Sequence, residues 1–102
     1  MTRLETEAVS IYLVCSSLEE AKGIARAAVE ERYVACVNIL GPVTSVYRWE
    51  GAIEEAAEVA VLMKCRNDAI DDLKAFVTER HSYDVPAFVV WPIVDGLPEY
   101  LA

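Results

Sequence analysis

The sequence holds a single histidine, His81, and that scarcity removes several classes of protein at once. No second imidazole completes a zinc-finger set, and Cys15, Cys36 and Cys65 form no Cys-x-x-Cys pair. Three thiols, an odd number at wide spacings, do not make a disulfide framework. They are expected to be reduced and buried as small apolar residues. There is no Gly-rich phosphate loop, no dinucleotide fingerprint and no Gly-x-Ser-x-Gly elbow. A Ser–His or Cys–His nucleophile would have to run through His81, and no nucleophile and base can be named together, so the chain reads as non-enzymatic. No apolar run approaches the ~20 residues a membrane-spanning helix needs. The opening heptapeptide carries two acids and no small-residue cleavage site follows it, so no secretory signal is visible. No part of the chain is basic: 17 acids against 9 bases give a net charge of −8, without the footprint of a nucleic-acid or anionic-membrane binder. A soluble, cytoplasmic protein is expected.

What is present fits one domain. The 102 residues are 55% apolar and 25% charged, which predicts a single unit over residues 1–102 with a short tail at 1–7. Val9 to Cys15 is a short, nearly continuous apolar run, as in a covered strand. Ser17 with Glu20 fits a capping box, and Leu18, Ala21, Ile24, Ala25, Ala28 and Val29 recur at helical spacing to about Tyr33. Gly23 interrupts that helix and suggests close packing on a sheet. Residues 34–49 read as a second strand with a bend or bulge at Gly41-Pro42. Glu50-Gly51 is a hairpin signal, and Ile53 to Cys65 forms the third strand. Asn67 is expected to cap a second helix carrying Ile70, Leu73, Phe76 and Val77. Val85-Pro86 enforces extended backbone before a fourth strand, 87–94, and Leu97 to Leu101 starts a last helix.

The order β-α-β-β-α-β predicts an α+β, ferredoxin-like sandwich with a long hairpin between its second and third strands. A 13-residue strand spans roughly 43 Å, whereas a domain of this size has a radius of gyration of only ~13 Å. The hairpin should therefore overhang its own sheet, and a second copy of the chain is its natural cover, so a homo-oligomer is expected.

His81 admits two readings. As the end of a helix it is a C-terminal cap or cation; as an imidazole near a thiol it suits copper or zinc. In the second case Cys15 and Asp84 are its candidate partners. Glu54, Glu55 and Glu58 read as solvated hairpin positions, because Glu55 alternates to the face opposite the other two. Tyr47, Trp49, Tyr83 and Trp91 suit core or subunit contacts. Lys64, on a strand otherwise turning apolar, either snorkels to the rim or faces a cleft shared between chains.

The segments Ala35-Cys36-Val37-Asn38, Ser45-Val46-Tyr47-Arg48-Trp49-Glu50-Gly51 and His81-Ser82-Tyr83-Asp84-Val85-Pro86, followed by Tyr100-Leu101, resemble the CutA family of divalent-cation-tolerance proteins. The resemblance runs in order from about Val9 to Leu101. It implies a ferredoxin-like subunit in a tight, PII-like homotrimer whose hairpins wrap neighbours, a cytosolic location, and tolerance of copper and other divalent metals through weak binding of Cu(II) or a similar ion. The positions matching the family's copper site are Cys15 and His81. The family's third ligand, a Glu directly after Val-Pro, is Ala87 here, with Asp84 as the substitute, and Ser82 stands where the family usually has Pro. The resemblance also implies a cleft between subunits lined by Asn38, Tyr47, Trp49, Lys64 and Tyr83, where Lys64 would hold a small anionic ligand. A PII-like, ligand-sensing role is the alternative to metal binding.

Overall fold

The computed structural model of the chain describes residues 7–101. Except for Glu7, the tail expected at 1–7 lies outside them. Strand β1 (Ala8–Cys15) is followed by helix α1 (Leu18–Glu30), β2 (Cys36–Trp49), β3 (Ala52–Arg66), α2 (Ile70–Arg80), β4 (Phe88–Pro92) and a short α3 (Pro98–Leu101). The sheet is antiparallel in the order β2-β3-β1-β4, with β1 central beside β3 and β4. This is the ferredoxin-like α+β sandwich that the element order predicted. The core fills from β1 and β3 (Val9, Ile11, Leu13, Val61, Met63), from α1 (Ala21, Ile24, Ala28) and from α2 (Ile70, Leu73, Val77).

Local chemistry accounts for most boundaries. Ser17 caps α1, its Oγ accepting from the Glu20 backbone N–H at 3.1 Å. The return contact of Glu20 goes to the Ser16 backbone N–H at 2.9 Å, one residue earlier than a standard capping box. Gly41, at φ 110, sits at a bulge where the register slips between Ile39 and Gly41. Glu50 and Gly51 both have positive φ, 49 and 83, as a two-residue type I′ hairpin loop requires.

Three local expectations need correction. Gly23 is exposed, and a Cβ added there meets nothing within 4 Å, so no close packing explains it. The apolar stripe of α1 is buried only in its middle, because Leu18 and Val29, at the helix ends, are exposed. Asn67 does not cap α2. Its backbone N–H still bonds the Glu7 carbonyl at 2.8 Å, prolonging the sheet. The chain then makes a 3-10 turn over Asn67–Ala69, and α2 starts at Ile70 with no side-chain cap.

The hairpin projects as its length requires. The molecule measures 44 × 30 × 23 Å with a radius of gyration of 14.5 Å. β1 pairs with β3 only along Val59–Arg66, so the distal half of β3 has β2 as its single partner within the chain. Val46, Trp49 and Ile53 are exposed along that distal half.

Candidate metal centre

Cys15 ends β1, Glu20 lies in the first turn of α1, and His81 stands at the C-cap of α2. The three elements converge so that one ligand atom from each residue lies within 4.8 Å of the others. Cys15 and His81 are thus brought together as the sequence suggested. Asp84 is not in this group; it is exposed and lines a small hollow beside Lys74, Val85 and Phe88. Glu20 supplies the carboxylate instead. Its capping role masked it in the sequence, although a Glu five residues after Cys15 and one turn into a helix returns naturally above the end of β1.

The hydrogen bonds of the cluster are closed. His81 Nδ1 accepts from the Tyr83 backbone N–H at 3.0 Å, which assigns the proton to Nε2, and Nε2 donates to the Val14 carbonyl at 2.8 Å. Glu20 Oε1 accepts from the Ser16 N–H at 2.9 Å and the Ser16 hydroxyl at 3.0 Å, and Oε2 accepts from the Ser82 N–H at 2.8 Å. Burial alone would raise the Glu20 carboxyl, yet the bonds from Ser16 and Ser82 outweigh it and hold the pKa near 2. Burial, and secondarily the Glu20 charge, push the Cys15 thiol up to about 12. Glu20 is thereby held as a carboxylate and Cys15 as a protonated thiol, while the bonds of His81 place a proton on Nε2. A metal would have to displace the bonds on His81 and the proton on Cys15. Ala87 adjoins the cluster through its backbone, its carbonyl accepting from Val14 N–H at 3.2 Å, and offers no side-chain ligand.

The five cleft residues do not converge within one chain. Lys64 Nζ donates to Asn38 Oδ1 at 2.9 Å near the base of the hairpin. Tyr47 and Trp49 lie opposite Glu54 and Ala52 near its tip, roughly 30 Å along β2 at ~3.3 Å per residue. Tyr83 is fastened to the hairpin stem, its hydroxyl donating to Glu58 Oε2 at 2.7 Å, and this bond pushes its pKa up to about 12. Glu58 therefore braces the hairpin, whereas Glu54 and Glu55 are exposed as expected.

The chain is thus a ferredoxin-like α+β sandwich with an overlong hairpin, and Cys15, Glu20 and His81 meet at the end of its first strand. Residues 9–102 match the model of the CutA1 divalent ion tolerance protein family, and the chain belongs to that family. It is 44% identical to the divalent-cation tolerance protein CutA of Thermus thermophilus, over 89% of this chain and 88% of that one. It is 40% identical to mouse protein CutA over 88% of its length but spans only 51% of that longer relative. Among solved structures, the divalent cation tolerance protein of Thermus thermophilus superposes with a TM-score of 0.90 at 42% identity, covering 92% of this chain and 91% of that one. The CutA1 structure from a psychrotrophic Shewanella gives 0.92 at 34% identity, covering 94% and 90%.

Proposed function

We propose that this chain serves divalent-cation tolerance as a cytoplasmic, non-enzymatic homotrimer that engages Cu(II) or a similar borderline ion weakly at Cys15, Glu20 and His81. The observation that carries the metal site is the approach of three chemically different ligand atoms to within 4.8 Å at one meeting point of three elements. Weakness follows from the competition already in place, since each ion must displace a proton from a thiol held near pKa 12. The trimer is supported by the overhanging hairpin, whose exposed Val46, Trp49 and Ile53 need a cover.

Calorimetric titration of the reduced protein with Cu(II) and Zn(II), after light scattering has fixed the oligomer mass, tests both parts. The expected result is a trimer that binds near one ion per chain, with affinity rising about tenfold per pH unit and lost in Cys15→Ala and His81→Gln. A trimer without saturable binding removes the metal site. A monomer removes the assembly.

A further inference from the structure

The opposite end of β1, seven residues from Cys15 at ~3.3 Å each, opens onto a cavity of about 680 Å³. It lies between the end of α1, the start of β2, the end of β3 and α3. That volume falls in the range of small-molecule sites. Its walls are largely apolar, from Val29, Val34, Ala69, Ile93 and Leu101. Arg32, Lys64 and Arg66 also line it, three of the nine bases in a chain of net charge −8.

The three cations are not equivalent. Arg66 is committed to Asp68 through two hydrogen bonds of 3.2 Å. Among the described residues, neither Lys64 nor Arg32 has a carboxylate within ion-pair distance. Lys64 Nζ donates to Asn38 Oδ1 at 2.9 Å and, over a long 4.0 Å, to Cys36 Sγ; an ammonium has a third proton to give.

Arg32 adds an independent observation. It occupies the left-handed position of a Schellman motif, at φ 63, its N–H bonding Val29 O at 3.0 Å while Tyr33 N–H bonds Ala28 O at 2.9 Å. Glycine usually fills that position, and another residue costs about 1–2 kcal/mol there. An arginine in a left-handed position on the cavity wall couples backbone strain to a charge at the site.

We propose that this cavity binds a small carboxylate with an apolar body, its charge met by Lys64 and Arg32 and its body by the apolar walls. A polyphosphate would need a nest of backbone N–H groups or several free cations. With Arg66 paired and Glu7 also on the wall, the site balances about one negative charge. The site needs neither a metal nor a second chain, so it goes beyond the proposed function.

The test is calorimetry on the full chain at low ionic strength with chelator present. Sodium hexanoate is the probe, 1-hexanol the neutral counterpart, and inorganic phosphate the anion without an apolar body. Hexanoate should bind saturably, and hexanol and phosphate at least tenfold more weakly. Lys64→Met should weaken hexanoate at least tenfold and Arg32→Gly severalfold. Arg32→Gly is the sharper variant, because relief of the left-handed strain should raise its thermal midpoint while its affinity falls, which a folding defect does not imitate. Absence of saturable hexanoate binding overturns the proposal. So does hexanol or phosphate binding as tightly as hexanoate, or undiminished affinity in Arg32→Gly.

Discussion

The two ends of β1 each gather polar side chains, and they treat them in opposite ways. At Cys15 the hydrogen bonds are satisfied by the surrounding chain: the buried His81 is bonded at both nitrogens, and the half-buried Glu20 accepts from two serines. At Ala8 the cavity is open, and two of its three cations have no carboxylate partner among the described residues. Proximity of ligand atoms and the number of hydrogen-bonding sites left unused are separate signs of binding, and each end of β1 carries one of them. A closed network stabilises a fold and yields to a ligand only at the expense of its own bonds. An open one, such as the cavity with Arg32 exposed and Lys64 half-buried, keeps donors free for a ligand and loses only water when one arrives.

The contrast breaks or sharpens under substitution. His81→Ala should have the largest effect, about 3–5 kcal/mol in urea unfolding, because it opens a cavity and leaves the Val14 carbonyl and Tyr83 N–H without partners. A loss below 1 kcal/mol would show that the cluster is not structural. Glu20→Gln comes next, at about 2–3 kcal/mol at neutral pH. The Glu20 carboxyl is depressed in the folded state from 4.5 to about 2. Its contribution is therefore complete above pH ~4.5 and lost as pH falls towards 2. Wild type should lose about 3 kcal/mol across that window, and Glu20→Gln should lack this component when unfolding is followed against pH.

Ser82→Pro probes the same cluster more gently. A proline at this position has no N–H to donate to Glu20. His81 is already extended, at φ −76 and ψ 143, the backbone that a residue before proline requires. A loss of about 1–2 kcal/mol is expected. Metal titration of the variant should show tighter binding than wild type, since Glu20 is freed; equal or weaker binding would exclude Glu20 as a ligand. Gly23→Ala should have the smallest effect, a gain of up to about 1 kcal/mol in thermal or urea unfolding. A loss there would mean that a neighbouring chain approaches the exposed face of α1.

The order of elements, the capping serine, the bulge at Gly41 and the Glu50-Gly51 turn were legible in the sequence, because each rests on contacts within a few residues. The overhang was legible too, since strand length follows from residue count alone. The distant pairings were not. Glu20 meets Ser82 across 62 positions and Lys64 meets Asn38 across 26, and only the crossover of α1 and the register of β2 on β3 create those contacts. The sequence placed a carboxylate beside His81 at Asp84, its neighbour along the chain, whereas the fold delivered one from another helix.

The same divide separates the two candidate sites. Residue types and their resemblance to a family were enough to single out Cys15, His81 and Lys64. Whether those groups are occupied or free depends on which backbone amides and carbonyls fold against them. Side-chain identity and local periodicity are written along the chain, and they determined the sandwich and its hairpin. Hydrogen-bond satisfaction is a property of three-dimensional neighbours, so tertiary structure alone decided that the Cys15 end is closed and the Lys64 end is open.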